Sequence, residues 1–456
     1  MLKKTVLVFA AMLLGSFLFY SCGNEESLPE NVTYSEHIAP LVYEKCVPCH
    51  RPNGAGPFSL LTYDDAKRKA KTMAAVTKMR FMPPWPADHD FRDFLGEKRL
   101  TRYQIDLIQR WYQQGAQAGN LAIAPKPPEY PVGSAVGTPD YVAKMEPYPV
   151  KGDFSDRFLM VKIPYELPQD TFIRGFEFVP GDRKLVHHVN GHLIQYEEGK
   201  KGSVWNGARW VDNEKIDRDA AFKALDLMND DGSYPTLIPL VCNYLPGVEP
   251  AFYPHNIGGY HIKKKGVLLI NDLHYGPSAK DLLEHSKINF FFSDKPPTRP
   301  TKELQLGTLG ISEIVPKLVI PPDTVMTFTT RGVILDDISL LTINPHMHLL
   351  GKVFTAYAIS ANKKDTIPLI RINKWDFRWQ YYYTYKHPLH LEKGTEILVK
   401  GTFDNTKNNP LNPNNPPKTV AERNGSMRTT DEMFQFIMTF VPYQQGDEDL
   451  DMTFKR

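Results

Sequence analysis

The run ISLLTINPHMHLLGKVFTAYAI, residues 338–359, decides the fold class of this chain. Its β-branched and aromatic residues, bounded by Asp and Asn, are typical of strands. Runs of the same kind, separated by Gly, Pro and Asp turns, lie at residues 157–164, 171–179, 184–196, 265–275, 287–292, 324–334, 366–372, 377–385, 395–403 and 432–441. This succession predicts a mainly β protein with antiparallel strands.

The strand-like runs begin after a proline-rich stretch at residues 121–150, which contains APKPPEYPVG and EPYPV and suits a semi-rigid linker. A domain usually has about 150 residues. We therefore predict two jelly-roll-like antiparallel sandwiches, at residues 151–300 and 301–456, preceded by a small all-α domain at residues 34–120.

The first 22 residues, MLKKTVLVFAAMLLGSFLFYSC, have the pattern of an export signal. The ending FLFYSC resembles a lipobox, so we predict a lipoprotein signal peptide over residues 1–21, acylation of Cys22 and a tether over residues 22–33. An ordinary secretory signal with an incidental cysteine is the alternative. The apolar run is shorter than the roughly 20 residues that span a bilayer. We expect a cell-envelope protein held to the membrane by its lipid alone, at the periplasmic face or the outer membrane.

Charge and cysteine content exclude two other classes of protein. The 54 Lys and Arg nearly balance the 52 Asp and Glu and are interspersed with them, so no basic face indicates binding to nucleic acid. The chain has four cysteines. If Cys22 carries lipid and Cys46 and Cys49 carry a prosthetic group, Cys242 has no partner for an intramolecular disulfide.

The segment CVPCH, residues 46–50, has the C-x-x-C-H spacing of a covalent haem site. Cys46 and Cys49 would form thioether bonds with the haem vinyl groups, and His50 would bind the iron. A zinc pair or a redox dithiol is the alternative. However, no second C-x-x-C exists to complete a zinc site, and no strand–helix context surrounds this one. We therefore predict one c-type haem.

Helical patterns flank this motif at residues 34–45, 64–78 and 101–115. The last begins with a capping box of Thr101 and Gln104. Three helices around a haem predict a small cytochrome c domain. Met82 is our choice for the sixth iron ligand, because the prolines of MPPWP hold the backbone extended there; Met79 is the alternative.

Histidine and methionine in predicted strands indicate a transition-metal site. His346 and His348 are two residues apart, so in a strand both rings project from one face. Met433, in the run EMFQFIMTF, could add a thioether. Two nitrogens and one sulfur favour copper over zinc or magnesium. We call His346, His348 and Met433 the C-terminal set.

A second group of histidines lies earlier in the chain. His187 and His188 are adjacent, which on a regular strand sends their side chains to opposite faces, so a shared metal would need a bulge or a strand end. His274 lies in another strand-like run, on the same face as Asp272. Taken singly, each is more often a structural histidine than a ligand. We call His187, His188 and His274 the N-terminal set.

Four motifs occur in the order found in a known family: VHHV around His187, LHYGP around His274, PHMHLLGKV around His346 and DEMF around Met433. Together they resemble the copper type II ascorbate-dependent monooxygenases, which include the peptidylglycine α-hydroxylating and dopamine β-hydroxylating enzymes. Over residues 34–456 the chain looks like a bacterial branch in which a cytochrome c is fused to that two-domain core.

The resemblance implies two copper ions, an electron-transfer copper on the N-terminal set and an oxygen-binding, catalytic copper on the C-terminal set. The implied reaction is hydroxylation of a small-molecule C–H bond with O2, with electrons from an external donor relayed through the haem. Peptide-hydroxylating relatives carry an arginine where this chain has Asn344 and a tyrosine where it has Ile437, so we do not expect a peptide substrate. The alternative is a non-enzymatic electron carrier or copper-binding lipoprotein.

Overall fold

The computed structural model describes residues 27–130, 133–248, 250–254, 257–422 and 428–453. The predicted signal peptide and Cys22 lie outside these residues. With 36% of its residues in strands and 13% in helices, the protein is mainly β, as the strand-like runs predict. Among the described residues, no helix is long and apolar enough to cross a membrane.

The chain divides into two compact units. The smaller unit holds the described residues up to 46 together with residues 60–83 and 99–127, and the larger unit holds residues 47–59, 84–98 and the chain from 128 onward. Two segments of the predicted all-α domain, residues 47–59 and 84–98, thus group with the β-sheets.

The smaller unit is helical. Its elements are a π-helical turn at Tyr34–Ile38, α1 at Ala39–Lys45, α2 at Tyr63–Lys78, α3 at Arg102–Gln113 and a 3-10 turn at Leu121–Ile123. The predicted capping box is present, because the Thr101 side chain accepts from the Gln104 N–H and the Gln104 side chain accepts from the Thr101 N–H. The three predicted helices are confirmed; their arrangement around a haem stays a prediction.

The N-terminal half of the larger unit has the helix α4, Arg218–Ala224, and two main sheets. Its strands are β1 Tyr141–Lys144, β2 Tyr148–Val150, β3 Arg157–Glu166, β4 Thr171–Val179, β5 Val186–Gln195, β6 Trp210–Asp212, β7 Thr236–Tyr244, β8 Tyr260–Ile262, β9 Lys265–Tyr275, β10 Leu282–Glu284 and β11 Lys287–Ser293. One sheet has the order β6-β3-β9-β5-β7, the other β1-β11-β4-β8, and β2 pairs with β10. Leu159, Ile173 and Phe290 belong to the core that the two main sheets share.

The C-terminal half repeats this arrangement. Its strands are β12 Lys302–Gly307, β13 Ile314–Val315, β14 Val319–Ile320, β15 Val325–Val333, β16 Ile338–Met347, β17 Gly351–Ile359, β18 Thr366–Ile372, β19 Tyr383–Leu391, β20 Glu396–Asp404, β21 Val420–Ala421 and β22 Phe434–Pro442, followed by a 3-10 turn at Asp447–Asp449. The orders are β12-β22-β16-β19 and β13-β15-β20-β17-β18, with β14 paired to β21. Each half is therefore a pair of facing antiparallel sheets.

Two strand predictions differ from the structure. Residues 338–359 form two strands, β16 and β17, separated by a turn at His348. We predicted a strand over residues 377–385, but β19 begins only at Tyr383. The segment before it is a turn, in which the Trp379 N–H donates to the Asp376 carbonyl at 2.9 Å and the Gln380 amide donates to the Phe377 carbonyl at 3.0 Å.

The residues at 84–98 pack on the C-terminal half. The Phe94 ring lies 5.0 Å from the Tyr383 ring and 5.3 Å from the Tyr385 ring, measured between centroids. Asp88 forms an ion pair with Arg371 at 2.6 Å. This segment is thus part of the hydrophobic core of the C-terminal half.

A buried carboxyl lies between the two halves. Glu303 of β12 lines a cavity of about 60 Å³ together with Tyr260 of the N-terminal half and Thr439 of β22. Its Oε1 accepts from the Thr439 hydroxyl at 3.3 Å, and its Oε2 is buried without a hydrogen-bond partner among the described residues. Burial raises the pKa of Glu303 to about 8.

This raised pKa predicts a pH dependence of stability. The folded protein holds Glu303 neutral up to a pH of about 8, whereas the unfolded chain releases the proton above about pH 4.3. The neutral carboxyl therefore contributes to the free energy of unfolding at low pH. This contribution is lost as the pH rises from about 4.3 to about 8. In thermal melts from about pH 5 to about pH 8, the Tm of the parent should fall more than the Tm of Glu303→Gln, which cannot ionise. The exposed Glu313→Gln is the control, and equal slopes for all three would contradict the prediction.

Candidate metal centres

The two histidines of the C-terminal set lie at the end of β16. Every residue of this strand is buried, and the His346 and His348 side chains are also buried. Because alternate residues of a strand share a face, both rings project the same way, with their centroids 5.0 Å apart and their planes nearly perpendicular. The structure therefore brings these two rings together.

Hydrogen bonds fix which ring nitrogen of each histidine is free. The His348 Nδ1 donates to the Asp431 main-chain carbonyl at 2.9 Å, because a carbonyl can only accept. The His346 Nδ1 donates to Gln380 Oε1 at 2.5 Å, and the Gln380 amide is oriented by its own bond to the Phe377 carbonyl. Both rings are thus left with an Nε2 lone pair, the form that binds a metal ion.

Met433 reaches the same end of the sheet through strand register. β16 pairs with β22 so that His346 faces Gln435 and Met347 faces Phe434, which places Met433 opposite His348 in the continued register. The adjacent Glu432 joins the two segments, because its carboxylate accepts from the His348 N–H at 3.0 Å and from the Leu350 N–H at 2.7 Å. The side chain of Met433 is buried.

The N-terminal set is assembled by a β-bulge. β5 pairs with β9 so that Val186 faces Tyr275 and His188 faces His274, and His187 is the extra residue between these pairs. The bulge brings both neighbouring rings to His274, at centroid distances of 4.6 Å from His187 and 5.0 Å from His188. The structure thus contains the irregularity that a shared metal at adjacent histidines requires.

Two carboxylates orient the N-terminal set. His188 Nε2 donates to Asp272 at 2.8 Å, and His274 Nε2 donates to Asp156 at 2.7 Å, which leaves the Nδ1 of each ring as the free nitrogen. Ligand atoms of Asp156, His187 and His274 all lie within 4.8 Å of one another. Carboxylates on the outer nitrogen of ligating histidines are usual at metal sites.

Burial favours the neutral form of His187, His274, His346 and His348. Burial lowers the pKa of His346 to about 3 and the pKa of His187 to about 4, with a neighbouring histidine adding to each shift. Burial also lowers the pKa of His348 and of His274. Neutral imidazole at neutral pH is the ligand that copper requires.

The aromatic ring of Phe377 lies near one histidine of each set. The Phe377 ring lies 6.1 Å from the His188 ring and 5.5 Å from the His348 ring. A cavity of about 570 Å³ between the two halves is lined by His346 and His348 from one side and by Asp272 from the other. Clefts of this size bind small molecules.

Some residues of these centres were not singled out from the sequence. Asp156, Gln380, Asp431 and Glu432 hold the histidines or their backbone. Of these four residues, only Asp431 and Glu432 lie in a motif that the sequence indicated, DEMF. His192 accepts the Leu240 N–H on Nδ1 at 2.9 Å and lines the cleft.

The C-x-x-C-H segment has one feature that fits haem ligation. His50 Nδ1 donates to the Phe58 carbonyl at 3.1 Å, which leaves Nε2 free for iron. Gly56 lies against this ring, since a Cβ there would be 2.6 Å from Nδ1. Met79 is 69% exposed and Met82 is half-buried; the choice between them as sixth ligand stays a prediction.

Gln380 offers a direct test of the C-terminal set. Gln380→Leu removes the acceptor of the His346 Nδ1 proton, so we expect copper affinity at this set to fall by about 10- to 100-fold. Competition with a chromophoric copper(I) chelator measures the change. Gln305→Leu is the control, because Gln305 lines the cleft with His346 and His348 but its amide donates to the Thr308 carbonyl. Equal affinities for both variants would contradict the assigned role of Gln380.

Comparisons with known proteins identify one part of the chain. Residues 306–444 match the family model described as copper type II ascorbate-dependent monooxygenase, C-terminal domain. No curated protein matches the chain. Two solved structures of infectious bursal disease virus show weak similarity. The VP2 subviral particle is 9% identical, covers 69% of this chain and 84% of that chain, and has a TM-score of 0.14. The structure of the Gt strain is 10% identical, covers 72% of this chain and 87% of that chain, and has a TM-score of 0.12. TM-scores this low do not indicate a shared fold.

The matched region contains the whole C-terminal set and the segments that orient it. It begins within β12 and ends just after β22, so it spans both sheets of the C-terminal half. The match agrees with the motifs PHMHLLGKV and DEMF. Residues 306–444 are therefore similar to the C-terminal domains of the copper type II ascorbate-dependent monooxygenases.

Proposed function

We propose that this chain is a copper-dependent monooxygenase that hydroxylates a C–H bond of a small molecule with O2. One observation carries the proposal: His346 and His348 line a cleft whose other side includes Asp272, the carboxylate that bonds His188, and the half that carries these two histidines matches the monooxygenase domain.

The C-terminal set fits copper. His346 and His348 each present a free Nε2, and Met433 adds a thioether at the same end of the sheet. Nitrogen with soft sulfur is a donor set that selects copper. When bound, copper would supply the one-electron chemistry and the activation of O2 that hydroxylation requires. The chain supplies the buried surroundings that keep bulk water away.

The N-terminal set fits a second copper with a different donor set. Its three rings lie together at the bulge, and Asp156 and Asp272 hold the outer nitrogens of two of them. Imidazole is a ligand that suits copper, and the family that the motifs resemble implies the electron-transfer role for this set. We therefore assign the electron-transfer copper to this set and the catalytic copper to the C-terminal set.

The cleft disfavours a substrate with a carboxylate at the position used by peptide-hydroxylating relatives. The Asn344 amide nitrogen donates one of its two hydrogens to the Tyr381 main-chain carbonyl at 2.9 Å, and this neutral amide lacks the positive charge and the paired donors with which an arginine binds a carboxylate. Asn344 faces Ile437 across the β16–β22 pair, and both line the cleft. A neutral small molecule that donates a hydrogen bond fits this position.

Electrons would come from an external donor through a c-type haem on the same chain. Cys46 and Cys49 would hold the haem, with His50 and Met82 as iron ligands, in a cytochrome c domain fused to jelly-roll-like sandwiches. A haem with histidine and methionine ligands suits one-electron relay. With acylation at Cys22, the enzyme would lie in the cell envelope.

Oxygen uptake tests the proposal. Haem- and copper-loaded protein with a chemical reductant should consume O2 in proportion to hydroxylated product when screened by mass spectrometry against small C–H substrates. The rival, an electron carrier or copper-binding lipoprotein without a substrate, predicts uptake that no compound stimulates. Protein without stoichiometric copper would overturn the proposal outright.

A further inference from the structure

The second cysteine of the C-x-x-C-H motif lies against the β-domains. A Cβ built on Gly247, in the turn after β7, would lie 2.4 Å from Cys49 Sγ and 2.9 Å from Lys98 Nζ. Lys98 also donates to the Gly247 carbonyl at 2.5 Å. Only a residue without a side chain allows this contact. The Cys49 sulfur therefore has a fixed position on the larger unit.

The ring of Tyr381 adjoins this contact. Lys98 Nζ lies 5.5 Å from its centroid. Burial raises the pKa of the Tyr381 hydroxyl. The hydroxyl donates to the Pro84 carbonyl at 2.9 Å, and Tyr381 is only 2% exposed. Lys98 Nζ thus lies near both the Gly247 contact with the Cys49 sulfur and this buried ring.

A short bonded route continues from Tyr381 to the C-terminal set. Tyr381 is the next residue after Gln380, whose Oε1 accepts the hydrogen bond from His346 Nδ1 at 2.5 Å. The Tyr381 carbonyl also accepts from Asn344, two residues before His346. From the tyrosine ring to the imidazole ring, the route consists of covalent bonds and one hydrogen bond.

The geometry points to a direct electron route from the haem edge at Cys49, through Tyr381 and Gln380, to the copper held by His346, His348 and Met433. This inference rests on the proposed function, which supplies the haem and the copper. In one transfer, ferrous haem loses an electron to become ferric, and the cupric ion gains it to become cuprous. An external one-electron donor then restores the ferrous haem.

A competing route would lead to the N-terminal set. Tyr244 ends β7, three residues before Gly247, and pairs with Val189, the neighbour of His188. However, from Tyr244 this route continues only through the main-chain pairing of β7 with β5. Among the described residues, no side-chain hydrogen bond joins Tyr244 to an imidazole ring of the N-terminal set. Tyr244 therefore provides the natural comparison for Tyr381.

Electron injection into the haem tests the route without turnover. The haem of oxidised, copper-loaded full-length protein is reduced by a light pulse, and its reoxidation is followed by absorbance while EPR of frozen samples reports the cupric signals. We expect a fast phase of haem reoxidation that persists in His274→Ala, which lacks the copper of the N-terminal set. The fast phase should be lost in Tyr381→Leu and remain in Tyr244→Leu.

A second pair of variants leaves both tyrosines intact. Gly247→Ala places a Cβ on the Cys49 sulfur and should also remove the fast phase. Gly199→Ala is its control. Gly199 has a similar positive φ of 77°, but a Cβ there would have no neighbour within 4 Å, so this substitution introduces the backbone strain without a steric clash. EPR spectra of the resting variants verify that both coppers remain bound.

The behaviour of the fast phase in these variants supports or contradicts the proposed electron route. Loss of the fast phase in Tyr381→Leu and Gly247→Ala, but not in their controls, supports the route. A fast phase that survives both changes, or that disappears in His274→Ala or Tyr244→Leu, overturns it. Hydroxylation driven by a bulk reductant tests the proposed function separately from this inference. Because a bulk reductant bypasses the haem, hydroxylation should persist if only the electron route is wrong.

Discussion

A His348→Ala chain should bind one copper ion fewer than the parent and lose hydroxylation, while its haem content stays the same. The substitution removes one of two nitrogens from the C-terminal set but keeps the main-chain N–H that Glu432 holds. The turn after β16 should therefore persist, and the loss should be confined to metal binding. Elemental analysis for copper and the absorbance of the reduced haem measure the two quantities.

His387→Ala is the control for this change. His387 lies on the same half, is exposed, and bonds the Leu450 carbonyl. It should keep both coppers and full activity. If His348→Ala also kept two coppers per chain, the assignment of the C-terminal set would be wrong.

Gly276→Ala should remove the copper of the N-terminal set. A Cβ at this position would lie 2.3 Å from His187 Nε2 and 2.6 Å from its Cε1, so the ring must leave its place. The Gly276 N–H donates to the Leu185 carbonyl at 2.8 Å, which prevents the backbone from moving away easily. We expect copper affinity at this set to fall at least tenfold, equivalent to about 1.4 kcal/mol.

Gly202→Ala is the matched control, because the nearest atom to its Cβ would be 3.3 Å away and belongs to the Asp230 side chain. Calorimetric titration with copper should show two sites for Gly202→Ala and one strong site for Gly276→Ala. Two unchanged sites in Gly276→Ala would show that His187 is not a ligand.

The local patterns of the sequence predicted the elements and the faces of their side chains. The two-residue spacing of His346 and His348 placed both rings on one face, because a strand repeats every two residues. The helices around the haem motif follow from apolar spacing and caps. Each of these features depends on residues that are near one another along the chain.

The contacts that orient the metal-binding rings could not be predicted in the same way. The bulge at His187 is a property of the register between β5 and β9, which the sequence of β5 alone does not determine. Gln380 was placed in a predicted strand, and its bond to His346 joins residues far apart in sequence. Asp156 reaches His274 across more than a hundred residues. Side chains that act through tertiary contacts carry no local pattern.

The fate of the two oxygen atoms tests the central claim most directly. Reduced, copper-loaded protein is mixed with its substrate and isotopically labelled dioxygen in ordinary water, and the product is analysed by mass spectrometry. A copper monooxygenase should place one labelled atom in the hydroxylated product and release the other as water. Product whose new oxygen comes from the solvent, or oxygen consumption without any labelled product, would contradict the proposed function.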